Sequence, residues 1–198
     1  MTTWWKVMSA MFIEAAVIGL VVGYIRGGRL SNLKNLSIKR GWAVLIAFLL
    51  QFGLGRLPLG VGSLHYAVHM LSYLLLFYFV WVNFQPWGIR LIGLGIMLNF
   101  VVIAANNGIM PVGTAGMSQE FSYNLQTVSD GIHGLLTGAT RLPILADIIK
   151  VKNPLTGSGG WYSIGDIVMD LGIIVLISSI MANISSYYKV VSVKGGRS

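Results

Sequence analysis

The sequence predicts an all-α integral membrane protein, a bundle of about five transmembrane helices with a long outward-facing loop between the fourth and the fifth. Hydrophobic residues make up 55% of the 198-residue chain and charged residues only 10%, far outside the composition of soluble domains. Several apolar stretches approach the ~20 residues that cross a hydrocarbon core of about 30 Å. One stretch, Asn106–Asp170, is too polar to be explained by hydrophobicity.

The distribution of charge and the absence of cysteine argue against several classes of function for this protein. The net charge of +8 does not indicate nucleic-acid binding, because the basic residues lie at the ends of apolar stretches and form no patch with interleaved aromatics. The chain has no cysteine, which excludes disulfides, thiol redox centres and cysteine-ligated zinc or iron–sulfur sites. The N-terminus lacks a basic segment and a small-residue cleavage site, so we expect a retained helix.

The predicted spans belong to one membrane domain over residues 1–198. The third span is the cleanest, whereas the second and the fourth reach full length only by including an arginine near one end. The spans are predicted at about Val7–Ile25, Gly41–Leu59, Leu64–Asn83, Trp87–Ala105 and Ser163–Tyr187, with a structured loop over 108–162 and a tail over 188–198.

The distribution of basic residues predicts the orientation of the bundle. Nine of the fourteen Lys and Arg residues fall in the first connection, the third connection and the C-terminal tail, and five fall on the other side. Because cytoplasmic segments carry the excess of Lys and Arg, we expect the N-terminus outside and the C-terminus in the cytoplasm. The polar loop then faces outward.

Glycines mark candidate helix contacts. Gly19, Gly23 and Gly27 recur at helical spacing, and Gly93 and Gly95 form a further pair. Small residues allow helix backbones to approach closely in lipid. Two interpretations stay open, packing within the bundle and the face of a homo-oligomer.

The long loop keeps an apolar pattern that is not typical of disorder. Its clusters, Ile109–Val112, Ile132–Leu136 and Leu142–Ile149, are separated by polar residues. Loops of this length are mostly either functional or disordered. We expect these clusters to lie against the bundle or in the membrane interface as short helices.

Three aspartates are candidate catalytic residues. Asp166 and Asp170 share one face of the fifth span, where two nearby carboxylates cannot both ionise at low cost. We therefore expect either a protonated carboxyl or a cation between them. Asp147 is the third acid, and Arg141 is its available counter-charge. The alternative is structural, with Asp166 capping the helix and Arg141 paired with Asp147.

Histidines are the candidate metal ligands. His65 and His69 share a face at the outer end of the third span, and His133 lies in the loop. Three imidazoles at one site would suit zinc or copper, and two would suit a haem. The alternative is that these histidines form hydrogen bonds with neighbouring helices.

Amide side chains and one glutamate are the candidate binding residues. Asn99, Asn106 and Asn107 close the fourth span before a proline, which is typical either of an irregular turn that binds a head group or ion or of a plain helix end. Glu14 lies inside the first span, where a carboxyl is costly unless protonated or paired. We treat Glu14 and Arg141 as binding candidates as well.

Five motifs follow one another along the chain: R-G-G-R-L-S-N-L, H-M-L-S-Y-L-L-L, L-N-F-V-V-I-A-A-N-N-G-I-M-P-V, T-R-L-P-I-L-A-D-I-I and Y-S-I-G-D. Together they resemble a bacterial family of small multi-pass membrane proteins classed as a domain of unknown function, and the resemblance covers nearly the whole chain. It implies a protein of the bacterial cytoplasmic membrane with about five spans, and it implies no reaction or cofactor.

A second similarity is confined to the last span. Asp147, together with Asp166 in W-Y-S-I-G-D, is similar to the end of the lipoprotein signal peptidases, intramembrane aspartyl enzymes whose last span opens with F-N-x-A-D. Ser163 stands where that motif has asparagine, and the G-N-x-x-D-R element with the other aspartate has no counterpart here.

These patterns support three hypotheses of function. The first is a non-enzymatic accessory or binding subunit of a membrane complex, with a site for a lipid or a partner subunit under the outer loop. The second is an intramembrane hydrolase of a lipid-linked substrate, which requires the carboxyl groups of Asp147 and Asp166 within about 6 Å of each other. The third is a haem or metal carrier, which requires His65, His69 and His133 to converge.

Overall fold

The computed structural model describes residues 4–54, 62–113, 115–116, 118–128, 131–152 and 159–182. These residues form a mostly helical fold with four short strands and two 3-10 turns, at Leu30–Asn35 and Pro143–Leu145. The elements are α1 (Trp4–Ile25), α2 (Trp42–Leu54), α3 (Ser63–Val82), α4 (Trp87–Ala105), β1 (Met110–Val112), α5 (Gln119–Gln126), β2 (His133–Leu135), β3 (Ile149–Lys152), β4 (Gly159–Tyr162) and α6 (Ile164–Met181).

Three helices, α3, α4 and α6, are long and apolar enough to cross a membrane. In the described part of the chain α1 and α2 provide shorter apolar segments, Met11–Ile25 and Trp42–Gln51. The mostly helical, membrane-compatible fold is therefore confirmed, whereas helix length alone does not fix the number of spans at five. The predicted end of the second span, the end of the fifth span and the tail lie outside the described residues.

The closest helix contact joins α4 and α6, which run antiparallel. A Cβ atom added to Gly88 would lie 2.6 Å from the carbonyl oxygen of Gly172, and one added to Gly95 would overlap the carbonyl oxygen of Gly165. The two glycines of α4 are seven residues apart, as are the two of α6, so glycine faces glycine at two levels of the contact. This approach of backbones is what small residues provide in the absence of a hydrophobic driving force between helices.

The helix α1 packs along α6 in the parallel direction. A Cβ atom on Gly19 would lie 3.0 Å from Cβ of Ile177, and one on Gly23 would lie 2.7 Å from Sδ of Met181. Packing within the bundle thus explains these two glycines. Gly27 differs, because it has φ of 75° and no atom within 4 Å of its Cβ position, so it serves the turn after α1.

The segment from Asn106 to Ser163, called the cap below, covers one end of the bundle. Its strand β1 pairs in parallel with β2, and Val112 of β1 also bridges to Asp147 on its other side. The strands β3 and β4 form an antiparallel hairpin that leads into α6. The apolar clusters at 109–112 and 132–136 therefore contain strands, so the expectation of short helices there is wrong and the fold is mostly helical, with short strands in the cap. Pairing between strands satisfies backbone groups that the bundle cannot satisfy.

Candidate functional site

A closed hydrogen-bond cluster joins α4 to the start of α6. The Asn99 amide donates to Oδ1 of Asp166 at 2.7 Å, and its oxygen accepts from the Ser163 hydroxyl at 2.8 Å. The backbone N–H of Ser163 donates to Oδ2 of Asp166 at 2.9 Å, and the backbone N–H of Asp166 donates to the Ser163 hydroxyl oxygen at 2.9 Å. Both carboxylate oxygens of Asp166 therefore have a partner.

This cluster forms because the sequence places a capping box where two helices meet through glycine. Ser163 and Asp166 exchange the reciprocal hydrogen bonds that satisfy the first N–H groups of α6. Gly165 lies between them and packs directly under the Asn99 amide. A side chain at position 165 would push Asn99 away, so the glycine is what allows α4 to supply the third member.

The turn after α4 is held by α3. Nδ1 of His69 lies 2.6 Å from the carbonyl oxygen of Gly108, and because a carbonyl only accepts, the ring donates from this nitrogen. The turn itself needs two residues with positive φ, Asn107 at 56° and Gly108 at 84°. Asparagine and glycine are the residues that adopt this conformation most readily. His69 is buried, so the interaction is shielded from solvent.

A second tie joins the same turn to the distal part of the cap. The Asn106 amide donates to the carbonyl oxygens of Val102, at 2.7 Å, and Arg141, at 2.9 Å, while its oxygen accepts from the Arg141 backbone N–H at 2.9 Å. The Arg141 guanidinium lies 3.5 Å from the carbonyl oxygen of Ala105. Arg141 therefore lies against the Asn106 turn and contacts it mainly through its backbone atoms.

The buried acid of the cap faces a histidine. Nε2 of His133 lies 3.9 Å from Oδ2 of Asp147, and both residues are almost fully buried. The backbone of Asp147 is fixed as well, since its N–H donates to the Pro111 carbonyl at 3.0 Å and its carbonyl accepts from Gly113 at 2.9 Å. The expected partner of Asp147 was Arg141; the structure places His133 beside it instead.

The three histidines do not assemble into one site. His65 and His69 are stacked edge to face with ring centroids 6.2 Å apart, while His133 lies next to Asp147. Within the described ranges there is no group of three or more His, Cys, Asp or Glu side chains arranged to hold a metal ion. The convergence that the metal and haem hypothesis requires is therefore not found among these residues.

Glu14 on α1 and Asp170 on α6 are partly buried acids with an unused oxygen atom. Among the described residues no hydrogen-bond partner reaches Oε1 of Glu14 or Oδ1 of Asp170. Both carboxyls lie near Tyr162, which precedes α6. Burial, reinforced by the negative charges of Glu14, Asp170 and Asp166, raises the pKa of Tyr162 to about 12.

Three residues of the site are not among the candidates that the sequence predicts. Tyr162, Ser163 and Gly165 belong to the Y-S-I-G-D motif, but the motif alone assigns none of them to a site. A serine three residues before an aspartate at the start of an apolar run is a capping-box signal that points to Ser163. Asp130, a further acid of the predicted loop, lies outside the described residues.

Together these features define a mostly helical protein with membrane-compatible helices and a hydrogen-bonded cap. Residues 35–178 match a family of unknown function, DUF5317, and the chain belongs to that family. An uncharacterised protein of Thermotoga maritima is 29% identical over 166 residues, which cover 83% of this chain and 89% of that protein. No solved structure matches. The resemblance to a bacterial family of unknown function is confirmed; the weaker similarity to lipoprotein signal peptidases gains no support.

Proposed function

We propose that this protein is a non-enzymatic accessory subunit of the bacterial cytoplasmic membrane, with five spanning helices and an outward-facing cap that binds a partner membrane protein. The proposal rests on one observation: polar side chains of the cap and the adjoining helices form hydrogen bonds that fix the cap to the bundle. Hydrogen bonds hold the cap to α3, α4 and α6, and they are made by His69, Asn106 and the Asn99 cluster. Such ties make the cap a fixed surface.

The same hydrogen bonds weigh against the hydrolase hypothesis. A general acid and base pair needs two carboxyl groups that reach one water molecule. Both oxygens of Asp166 accept hydrogen bonds within the helix cap, and Asp147 lies against His133 in the interior of the cap. This engagement favours structural roles for both acids.

The binding surface that we propose is the apolar rim of the cap, formed by Leu142, Ile144 and Ile148. All three side chains are exposed, and Ile144 is 65% exposed. Leu142 has φ of 54°, a left-handed turn that starts the 3-10 segment carrying Ile144. The Asn106 tie to Arg141 holds this rim beside the end of α4. Grouped apolar side chains on a surface mark contacts with a protein or a membrane.

Co-purification from native membranes in mild detergent, followed by mass spectrometry, tests this proposal. We expect a discrete protein partner with the wild type, and its loss in Ile144→Ser. Tyr123→Ser is the matched control, because Tyr123 is 64% exposed on another part of the cap. Retention of the partner by Ile144→Ser, or co-purification of lipid with no protein, would contradict the proposal.

A further inference from the structure

The end of the bundle opposite the cap, called the basic end below, carries charged side chains that are all positive. It comprises the connections over 26–41 and 83–86 with the adjoining helix ends. These segments contain six basic residues and no acidic residue: Arg26, Arg29, Lys34, Lys39, Arg40 and Arg90. Among the described residues, neither Lys39 nor Arg40 forms an ion pair. Their charges therefore face the surroundings uncompensated.

An open groove lies at the basic end between the start of α2 and the end of α3. Its volume is about 510 Å³, and it is lined by Lys39, Arg40, Tyr78, Trp81 and Val82. The Trp81 side chain is 75% exposed. Trp42 extends the aromatic wall, since its ring centroid lies 6.1 Å from that of Tyr78. Two basic side chains thus border a groove with aromatic walls.

The side chain of Asn83 fixes one wall of this groove by hydrogen bonds. At the end of α3, Oδ1 of Asn83 accepts from the Lys39 backbone N–H at 2.9 Å, and its amide nitrogen donates to the carbonyl oxygens of Lys39 and Phe79, each at 2.8 Å. The next residue, Arg40, has φ of 57°. This conformation costs a non-glycine residue about 1–2 kcal/mol. The Asn83 clamp holds Lys39 and Arg40 beside Trp81 despite that strain.

We propose that this groove binds the phosphate head group of an anionic phospholipid in the adjacent leaflet. Lys39 and Arg40 supply the positive charge that a phosphodiester requires, and exposed tryptophans are typical of the level at which head groups lie. The groove opens beside two apolar helices, so acyl chains attached to the head group have a surface to follow. The acyl chains distinguish a phospholipid from free phosphate, because free phosphate has no apolar part that could pack against Trp42 and Trp81.

Native mass spectrometry of the detergent-purified protein with phosphatidylglycerol or phosphatidylcholine tests the inference. The wild type should retain phosphatidylglycerol in preference to phosphatidylcholine. The double variant Lys39→Gln/Arg40→Gln should lose about 30-fold in affinity for phosphatidylglycerol, since each basic residue near an anionic lipid contributes about 1 kcal/mol. The matched control, Arg26→Gln/Lys34→Gln, removes the same charge from the same connection and should lose less than about threefold, because neither side chain lines the groove.

Arg40→Gly separates lipid binding from folding. Glycine adopts the φ of 57° without strain, so this variant should melt no lower than the wild type yet retain less phosphatidylglycerol. Equal losses in the two double variants would overturn the inference in favour of diffuse attraction. Unchanged lipid retention by Arg40→Gly would overturn it too, as would displacement of the lipid by an equal concentration of sodium phosphate.

Discussion

The polar side chain of Asn99 joins two helices of this protein. Asn99 is buried within α4, and both ends of its amide are used by Ser163 and Asp166. A satisfied cluster of this kind adds specificity, whereas one lost member leaves buried groups without partners at the full cost of their desolvation. The structural alternative for Asp166 could be predicted from Ser163 and Asp166 themselves. Its bond to Asn99 could not, because that bond depends on the register between α4 and α6.

Asn99→Ala should destabilise the protein by about 1–3 kcal/mol, since Asp166 and Ser163 each lose a buried partner. The corresponding fall in melting temperature is roughly 2–4 °C per kcal/mol, measured by tryptophan fluorescence in detergent. Asn107→Gly is the control, because Asn107 is exposed and its φ of 56° suits glycine. Equal melting of Asn99→Ala and the wild type would show that the cluster does not join the two helices.

Tyr162 should make the fold sensitive to alkaline pH. Because its pKa is raised from 10.0 to about 12, the neutral phenol is favoured in the folded state. Its contribution to stability is complete below pH 10 and is lost as the pH rises toward 12. Tyr162→Phe should match the wild type at pH 8 and melt roughly 2–4 °C higher than it at pH 11. Parallel falls in the two proteins between these pH values would refute the assignment.

At the scale of elements, the helices and the cap differ in how far the sequence determines them. The apolar runs of α3 and α4 are long enough for hydrophobicity alone to predict both helices. The observed bounds of each helix lie within one residue of the bounds of the predicted span. The strands β1 and β2 have three residues each and pair across a polar segment that contains α5. Three residues are too few to show the alternation that predicts a strand. The pairing of β1 is therefore known only from the structure, in which Val112 lies between Leu135 and Asp147.

The glycine contact between α4 and α6 should not tolerate a methyl group. Gly88→Ala would place Cβ 2.6 Å from the Gly172 carbonyl oxygen and 2.6 Å from Cβ of Leu176, which forces the helices apart. Overpacking of this kind costs about 1–3 kcal/mol, so we expect the melting temperature to fall by roughly 5 °C. Gly53→Ala in α2 is the control, since no atom lies within 4 Å of its Cβ position and alanine favours the helix. Similar melting of the two variants would contradict the close contact.

The whole molecule is polarised between its two ends. The cap end holds the acids of α6 and the cap, while the basic end has six basic residues and no acidic one over 26–41 and 83–90. We predict from this asymmetry that the basic end faces the cytoplasm, because segments rich in Lys and Arg stay on that side of a membrane. Ties such as Asn83 to Lys39 and Asn32 to the end of α6 at 2.7 Å keep the basic segments together at one end.

The predicted orientation is testable because the chain has no native cysteine, so any introduced cysteine reports alone. Glu120→Cys lies on the cap and Ser31→Cys at the basic end, and both positions are exposed. A membrane-impermeant maleimide should label Glu120→Cys in intact spheroplasts and Ser31→Cys only after lysis, with the cysteine-free protein as the control for background. Labelling of Ser31→Cys before lysis would reverse the orientation. Labelling of both positions from one side would contradict a bundle whose two ends face opposite sides of the membrane.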